Sequence, residues 1–337
     1  MTSAHTPKAW VMRRSYLSLV LLTPIILGLT GTLAFIFKGH PLLGVELVEK
    51  TEIRRRLREH LHYLSVELGE RCIFRPGNLK AAEDYVARIF NELGYEVRRQ
   101  SFICQRVEVA NVIAGNPDPR GYFLLGAHFD TVAGTPGADD NASGVAVLLE
   151  VARLARKGPT VRPWAFVGFT TEEPPVFFTP YMGSRVYAKT ARKQGENLLG
   201  MLCLESVGYF VDAPHSQHIP FPLRFLGYST TGNYLGLVGN RRSQALVQAL
   251  EQTLKSACAL PVASLTVPFG GGLIPETRLS DHANFWDEGY PAVMLTDTAF
   301  LRNPNYHTAR DTLDTLNLEA MTELTWGLAH FVREAGK

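Results

Sequence analysis

The amino-acid sequence predicts an α/β fold in which helices cover both faces of a mixed, mostly parallel sheet. Short apolar runs that are typical of strands alternate with longer segments in which apolar residues recur every three or four positions, as on one face of a helix. Strands separated by helices form sheets of this kind, and ligands bind at the carboxyl ends of their strands. The composition agrees with this fold, because 337 residues that are 46% hydrophobic and 20% charged can bury a sizeable core.

The predicted elements follow one another along most of the chain. Two helices come first, at 51–68 and 78–93, the second with Asn78 as its N-cap and Gly94 closing its C-terminus. Strand-like runs are predicted at 96–104, 107–114, 122–127, 164–169, 198–204, 235–238 and 292–295. Further helices are predicted around 145–152 and at 183–193, 243–257 and 318–334. The proline-containing stretch 212–232 is predicted to be a long loop and is a candidate for part of the rim or lid of a site.

The N-terminus is predicted to be a separate membrane anchor. Residues 16–37 contain no charged side chain and are flanked by Arg13 and Arg14 on one side and by Lys38 on the other. An apolar stretch of this length is sufficient to cross a bilayer core of about 30 Å, whereas the apolar region of a cleaved signal peptide usually has about 7 to 15 residues. We therefore expect a tail at 1–15, a transmembrane anchor at 16–37, a linker at 38–50 and a folded domain at 51–337, with a cleaved signal peptide as the alternative.

The charge distribution gives two indications of orientation. Within about 20 residues of the span, three Lys and Arg residues precede it and five follow it, which by itself favours a cytoplasmic main domain. Four of those five lie well beyond the span, mostly in the predicted folded domain, whereas Arg13 and Arg14 adjoin it. We therefore expect a single-pass protein whose main domain is extracytoplasmic, in a periplasm or outside the cell.

Charge and cysteine content argue against two classes of protein. The net charge is +2, and the basic run 54–56 lies among Glu49, Glu52 and Glu59, so a concentrated cationic face that would bind nucleic acid is not expected. The four cysteines show no Cys-X-X-Cys spacing and are too few for a disulfide scaffold. A bond between Cys72 and Cys104 stays open if the domain is exported.

Polar residues with the character of metal ligands follow the predicted strands. His128 ends one strand, and Asp130, two residues later, is placed to hold the second ring nitrogen of His128, as carboxylates do for metal-bound histidines. The octet 137–144 contains Asp139 and Asp140 between small residues. This octet could simply cap the next helix, but it carries more carboxylate than a cap requires. Asp140 is therefore predicted to bridge two cations.

Two adjacent glutamates, Glu172 and Glu173, come directly after another buried strand. Adjacent buried carboxylates repel each other unless cations or protons compensate them, so one is predicted to bind metal while its neighbour handles protons. Glu205 follows the apolar run 198–204 and is a further ligand candidate, because glutamate is seldom buried without a partner. The sequence contains no GxSxG elbow, HExxH helix, phosphate-binding loop or dinucleotide fingerprint.

In their order and spacing these motifs resemble the M28 family of zinc peptidases. The resemblance covers 78–316 and rests on Asn111-Val112-Ile113-Ala114, Gly126-Ala127-His128-Phe129-Asp130, Asp139-Asp140-Asn141-Ala142-Ser143-Gly144, Thr171-Glu172-Glu173-Pro174, Met182-Gly183-Ser184, Leu204-Glu205-Ser206-Val207-Gly208, Ser280-Asp281-His282 and Tyr306-His307-Thr308. It implies an α/β/α sandwich with a central mixed sheet and two zinc ions per chain. By position it implies that His128, Asp140 and Glu205 bind one ion and that Asp140, Glu173 and His307 bind the other. Many relatives have Asp where Glu205 stands.

The resemblance also implies roles for residues beside the ligands. Glu172 would be the general base and acid, and Asp130 would orient His128. Tyr306 corresponds to a tyrosine that helps to stabilise the oxyanion in some members of the family. Asp281 would lie next to the ligands without contacting the metal itself.

The activity implied is that of an aminopeptidase acting on the N-termini of peptides or proteins. Two neighbouring cations lower the pKa of a water between them, Glu172 accepts its proton, and the surplus carboxylates attract the substrate α-amine. Phe177, Phe178 and Tyr181 are candidates either for an apolar pocket that receives the first side chain or for ordinary core packing. Three alternatives stay open: a glutaminyl-peptide cyclotransferase on the same fold, a non-catalytic peptidase-fold ectodomain, and hydrolysis of a non-peptide amide.

Overall fold

The computed structural model describes residues 41–221 and 223–336. The chain divides after Glu52, and the second unit, Ile53–Lys337, contains the sheet and all the predicted site residues. The predicted anchor at 16–37 lies outside the described residues. Within the described ranges, no helix is both long enough and apolar enough to cross a membrane.

Helices and strands alternate along the described chain. The helices are α1 (Pro41–Leu61), which continues as a π-helical segment (His62–Leu68), α2 (Pro76–Glu92), α3 (Gly144–Ala155), α4 (Gly183–Gln194), α5 (Gln244–Ala257), α6 (His282–Asp287) and α7 (Leu318–Glu334). The strands are β1 (Val97–Cys104), β2 (Val107–Ala114), β3 (Tyr122–His128), β4 (Trp164–Phe169), β5 (Leu198–Glu205), β6 (Leu235–Asn240), β7 (Val262–Val267) and β8 (Ala292–Thr296).

The strands form one mixed sheet in the order β1-β2-β4-β3-β5-β8-β6-β7. In its centre β4, β3, β5 and β8 run parallel to one another, whereas β2 and β6, on either side, are antiparallel to their neighbours in this group. The carboxyl ends of four adjacent strands therefore meet at one edge of the sheet. In sheets of this class, that edge is where ligands bind.

The side chains of the central strands alternate between two hydrophobic cores. In β3, Phe123 and Leu125 belong to the core that includes α2, α3, α5 and α7, while Tyr122 and Leu124 belong to the core that includes α4 and α6. Every residue of β3 is buried, because helices cover the strand on both faces. The predicted mixed sheet between two helical layers is therefore confirmed.

Most predicted elements are present with ends that differ by a few residues. The predictions at 107–114, 164–169 and 318–334 coincide with β2, β4 and α7. Strand β7 and helix α6 are absent from the prediction. β7 lies at the edge of the sheet with mostly half-buried residues, and α6, with 6 residues, is too short to show a helical period.

The predicted cap of the second helix is wrong. Helix α2 begins at Pro76 with Arg75 before it, and proline suits the first position because that position needs no N–H donor. Asn78 lies inside the helix, and its Nδ2 donates to the main-chain oxygens of Leu68 at 2.8 Å and Glu70 at 3.0 Å. Asn78 therefore holds the end of the π-helical segment against α2.

Two further features bear on the sequence predictions. The described residues of the stretch 212–232 form a loop with one short 3-10 turn, Leu223–Phe225. None of Cys72, Cys104, Cys203 and Cys258 forms a disulfide within the described part of the chain, so the bond left open for Cys72 and Cys104 is not formed in the structure.

Candidate metal centre and active site

The predicted ligands lie together at the carboxyl edge of the sheet. His128 is the last residue of β3 and Glu205 is the last residue of β5, while Glu172 and Glu173 follow β4, which ends at Phe169. Because β4, β3 and β5 are adjacent and parallel, their ends bring these four side chains to one place.

Asp140 stands between the two histidines. It lies in the helical segment Ala138–Ser143 before α3, and His307 lies in the irregular chain between β8 and α7. The Oδ1 atom of Asp140 is 3.2 Å from Nε2 of His128, and its Oδ2 atom is 3.0 Å from Nε2 of His307. One carboxylate thus presents one oxygen to each histidine, as a ligand shared by two cations must.

Each histidine also faces a glutamate. Nε2 of His128 is 3.4 Å from Oε2 of Glu205, and Nε2 of His307 is 3.5 Å from Oε2 of Glu173. The ligand atoms of His128, Asp140 and Glu205 lie within 4.8 Å of one another, and so do those of Asp140, Glu173 and His307. These two triplets are the sets implied by the family resemblance, and they share Asp140.

The chemistry of the cluster fits a divalent cation. Among the described residues, no hydrogen-bond partner is found for either ring nitrogen of His128, either carboxylate oxygen of Asp140, or Nε2 of His307. Their mutual contacts are within charge-pairing distance but do not have hydrogen-bonding geometry. Buried polar atoms without partners are rare and costly. Imidazole nitrogens and carboxylate oxygens are zinc ligands in proteins, so the set of donors fits zinc.

Glu172 lies beside the two triplets. Its Oε2 atom is 4.0 Å from Nε2 of His128, and its carboxylate also forms a possible ligand group with His128 and Glu173. Burial raises the pKa of Glu172 well above its usual value; the charge of His128 opposes this, and the charges of Glu173 and Glu205 add to it. A buried carboxyl with a raised pKa is suited to accept and return a proton near neutral pH.

The cluster as a whole carries more negative charge than the protein compensates. Burial raises the pKa of Glu173 well above its usual value, and the charge of Asp140 adds to the effect. Asp140 behaves oppositely: burial would raise its pKa, but the imidazoles of His128 and His307, each close to one of its oxygens, outweigh burial and lower the pKa. Burial raises the pKa of Asp281, just before α6, to about 7. Bound cations would compensate this charge.

Asp130 contacts more than the histidine it was predicted to orient. Its Oδ1 atom is 3.4 Å from Nδ1 of His128, the ring nitrogen that it was predicted to hold. The same carboxylate accepts the main-chain N–H of Glu172 on Oδ1 and that of Glu173 on Oδ2, each at 3.0 Å. Asp130 therefore links the orientation of the histidine to the position of both glutamates.

The main chain is strained next to the ligands. Thr171, Ser206 and His307 have φ values of 54°, 46° and 58°, a region that non-glycine residues seldom occupy. Thr171 precedes Glu172, Ser206 follows Glu205, and His307 is itself a predicted ligand. Such strain persists where the surrounding structure imposes it, and it is common at active sites.

Tyr306 lies against the predicted ligand that follows it. Its ring stacks on the ring of His307 with centroids 3.8 Å apart and an interplanar angle of 16°. Burial and the nearby carboxylates, Asp140 first among them, raise the pKa of Tyr306 far above its usual value, so its hydroxyl keeps its proton. It is therefore a fixed hydrogen-bond donor at the edge of the site.

Two residues that contact the predicted ligands were not assigned roles from the sequence. The Ser280 hydroxyl donates to Oε2 of Glu205 at 2.6 Å. Asp311 accepts the main-chain N–H of Asp139 on Oδ1 at 2.8 Å and that of Asp140 on Oδ2 at 3.1 Å. Ser280 belongs to one of the motifs quoted above, whereas Asp311 carries no signal beyond its position four residues after His307.

An apolar cavity, partly open to solvent, lies beside Glu205 and Tyr306. Its wall includes Ile219, Leu223 and Tyr228 from the predicted loop 212–232, and Val238, Leu265 and Met294 from strands β6, β7 and β8. The loop therefore forms part of the wall of a cavity at the site, as the sequence suggested.

The aromatic residues after the glutamate pair lie outside this cavity. Phe178 and Tyr181 are 54% and 52% exposed, so neither is packed in the core. Neither they nor Phe177 line the cavity beside Glu205. The apolar pocket is built from the opposite part of the sheet, from strands β6 to β8.

Comparison with known proteins agrees with the motifs. The model of the family described as Peptidase family M28 matches residues 109–332. The chain is 34% identical to the uncharacterized protein YfbL of Escherichia coli strain K12 over 282 residues, which is 81% of this chain and 85% of that protein. It is 25% identical to a probable leucine aminopeptidase of Arthroderma otae over 63% of this chain and 53% of the relative, so it spans about half of that protein.

Solved structures share the fold at lower identity. The Legionella pneumophila LapA aminopeptidase superimposes with a TM-score of 0.64 at 20% identity, covering 86% of this chain and 74% of its own. A glutaminyl cyclase from Fimbriiglobus ruber superimposes with a TM-score of 0.60 at 20% identity, covering 83% of this chain and 94% of its own. At this identity the likeness establishes the fold, and it does not distinguish the two activities.

Proposed function

Because this chain belongs to peptidase family M28 and is a hydrolase of that type, we propose that it is a zinc-dependent aminopeptidase with Glu172 as its general base. The observation that carries the proposal is the placement of Asp140 between two histidines, each of which also faces a glutamate. A site with all of these groups is equipped for metal-assisted hydrolysis, which argues against a non-catalytic role.

Two zinc ions would occupy the two triplets. His128, Asp140 and Glu205 would hold one ion, and Asp140, Glu173 and His307 would hold the other. When bound, such a pair supplies an acidified water and polarises the carbonyl of the scissile bond. Imidazole and carboxylate ligands alone, with no thiolate, are common in hydrolytic zinc sites.

Glu172 and Tyr306 would handle the proton and the developing charge. Glu172 takes a proton from the attacking water and returns it to the leaving amine, which its buried position and raised pKa favour. Tyr306 donates a hydrogen bond to the tetrahedral oxyanion, because its hydroxyl remains protonated and its ring is held against His307.

The surroundings of the site suggest which peptides it accepts. The carboxylates that raise the pKa of Glu172, namely Glu173, Glu205 and Asp281, would attract the positive α-amine of a substrate N-terminus. The apolar cavity beside Glu205 and Tyr306 would receive an apolar first side chain such as that of leucine. Peptides or proteins with an apolar N-terminal residue are therefore the proposed substrates.

Glu172→Gln tests the proposed base. It keeps the shape of the side chain but cannot accept the proton, so kcat on leucine amide should fall about 10²- to 10⁴-fold. Bound zinc should be retained, because Glu172 lies outside both triplets. The contrasting variant Glu173→Gln should lose both activity and zinc. Activity of Glu172→Gln equal to that of the unchanged protein would remove Glu172 from the mechanism.

Glutaminyl cyclisation is the second candidate, favoured by the fold shared with the Fimbriiglobus ruber enzyme. A cyclase would release ammonia from a peptide that begins with glutamine and would leave the peptide bonds intact. An aminopeptidase would release free amino acids from the same peptide and from leucine amide. Following ammonia and free amino acids together by mass spectrometry separates the two activities.

The proposal for location keeps the anchor expected from the sequence. Residues 16–37 would hold the protein in a membrane, with the hydrolase domain extracytoplasmic. Full-length protein should then stay in the membrane fraction after carbonate extraction, and protease added to intact spheroplasts should remove the domain. Recovery in the soluble fraction would contradict the anchor, and complete protection from protease would contradict the orientation.

A further inference from the structure

A buried arginine lies behind the metal site. Arg71 is 0% exposed, and it follows the π-helical segment that continues α1. Its guanidinium donates hydrogen bonds to main-chain oxygens of two separate segments: to Leu64 at 2.7 Å and Gly69 at 2.7 Å, and to Phe129 at 2.9 Å, Pro136 at 2.8 Å and Gly137 at 2.9 Å. Arg71 thus ties the N-terminal helical region to the loop 129–137.

The loop that Arg71 holds connects two predicted ligands. It begins directly after His128 and ends three residues before Asp140. The main-chain N–H of Arg71 also donates to Oγ1 of Thr131 at 3.0 Å, inside the same loop. At its end, Gly137 has a φ of 58°, and a Cβ there would lie 2.4 Å from the main-chain oxygen of Asp140. The loop is therefore closely packed and fixed at both ends.

Two buried carboxylates fix the neighbouring main chain in the same way. Asp130 accepts the successive N–H groups of Glu172 and Glu173, at 3.0 Å each. Asp311 accepts the successive N–H groups of Asp139 and Asp140, at 2.8 and 3.1 Å. Each carboxylate therefore positions a main-chain segment that carries predicted ligands, although neither comes from a neighbouring part of the sequence.

Arg71 is a cation whose charge interacts with both of these carboxylates. None of the hydrogen bonds of its guanidinium goes to a carboxylate, so its charge is left to act on the groups around it. Burial lowers the pKa of Arg71 to about 10, while the charges of Asp311, Asp130, Asp140 and Glu173 oppose the effect of burial, with Asp311 first. Arg71 is therefore protonated at neutral pH.

We propose that Arg71, Asp130 and Asp311 form a positioning unit that holds the main chain of the metal-binding segments in its binding geometry before metal enters. Asp130 and Asp311 fix the segments that carry Glu173 and Asp140. Arg71 fixes the loop that connects His128 to Asp140 and places its positive charge near both carboxylates. These residues do not touch substrate. This inference rests on the metal site proposed above.

The unit should act on metal affinity. Substituting a residue that holds a metal ligand in place without contacting the metal itself typically weakens metal binding 10- to 100-fold. We expect Asp311→Asn, which preserves size but replaces one accepting oxygen by a donor, to raise the zinc dissociation constant by about that factor. Arg71→Met should have a similar effect, and Arg71→Lys, which keeps the charge but offers fewer and differently directed donors, should lie between Arg71→Met and the unchanged protein.

The experiment measures zinc binding by competition with a chromogenic chelator and follows folding of the metal-free protein by circular dichroism. Matched controls are Asp314→Asn, an exposed aspartate three residues after Asp311, and Arg75→Met, an exposed arginine four residues after Arg71. Both controls should bind zinc like the unchanged protein. If Arg71→Met does not fold, Asp311→Asn and Arg71→Lys carry the test.

The outcomes separate this inference from the proposed function. Zinc affinity of Asp311→Asn and Arg71→Lys equal to that of the unchanged protein, with only a lower melting temperature, would show a merely structural role and overturn the positioning unit. The proposed function would then stand. If the unchanged protein binds no zinc, the proposed function fails and the inference fails with it. At saturating zinc, a positioning role should leave KM within about twofold while kcat falls.

Discussion

The substitution Asp130→Asn changes a carboxylate that contacts the ring of one histidine and the main chain of two glutamates. The substitution keeps the size of the side chain, but it replaces one of the two oxygens that accept the N–H groups of Glu172 and Glu173 by an amide that can only donate. It also removes the negative charge 3.4 Å from Nδ1 of His128. We expect the loop that carries both glutamates to lose part of its support.

The size of the effect follows from the bonds that are lost. A hydrogen bond to a charged group contributes about 1.5–3 kcal/mol. At about 1.4 kcal/mol per factor of ten, the loss of one such bond corresponds to a change of about 10- to 150-fold in zinc affinity or kcat. KM should change little, because Asp130 does not line the cavity proposed to receive the substrate side chain.

The assay combines zinc titration with steady-state hydrolysis of leucine amide at limiting and saturating zinc. Asp314→Asn, an exposed aspartate, serves as the control for the loss of one negative charge. A tenfold or larger fall in zinc affinity or kcat, with KM nearly constant, would agree with the reasoning. Unchanged zinc affinity and kcat would refute it, and a change confined to KM would show that Asp130 acts on substrate instead.

Three further predictions concern the metal-free state, the cavity and Glu205. Burial raises the pKa of Glu172 and of Glu173, so the folded metal-free protein binds protons that the unfolded chain releases above about pH 4.5. Its melting temperature should therefore fall as pH rises from 5 to 8 and recover when zinc is added; a midpoint independent of pH would contradict this assignment. Val238→Phe places a larger side chain in the cavity wall. The ratio of kcat/KM for leucine amide to kcat/KM for alanine amide should therefore fall about 10- to 200-fold. An unchanged ratio would exclude the cavity as the pocket for the first side chain. Ser280→Ala removes the hydroxyl that donates to Oε2 of Glu205 at 2.6 Å. Under limiting zinc, the number of bound ions per chain should therefore fall from two towards one. Two ions per chain in the variant would show that Ser280 does not contribute to metal binding.

The sequence alone determined the layers of the fold and the location of the site. Central strands such as β2 and β4 are local runs of apolar residues, and their pattern is visible without any knowledge of their neighbours. His128 and Glu205 end two such strands, and the carboxyl ends of adjacent parallel strands must meet at one edge. For this reason the predicted ligands could be assigned to one place before any distance was known.

Elements at the margin of the fold gave weaker local signals. Strand β7 lies at the edge of the sheet, so its side chains are only partly buried and its sequence lacks the apolar run of a central strand. Asn78 has the residue type of a helix cap, but it packs inside α2 because its amide finds main-chain acceptors in the preceding segment. Both errors arise because the contacts that decide the structure at these positions are made with residues outside the element itself.

Only the tertiary structure decided how the ligands are supported. Arg71 and Asp311 belong to none of the sequence motifs described above, and their roles come from hydrogen bonds to main-chain groups of segments far from them along the chain. Such contacts leave no periodic pattern, because a main-chain carbonyl or N–H is the same at every position. The apolar cavity likewise combines β6, β7, β8 and the loop 212–232. Residue types and their spacing thus indicate which metal ligands and proton acceptors are available. The main-chain groups that orient these side chains come together only when the chain folds.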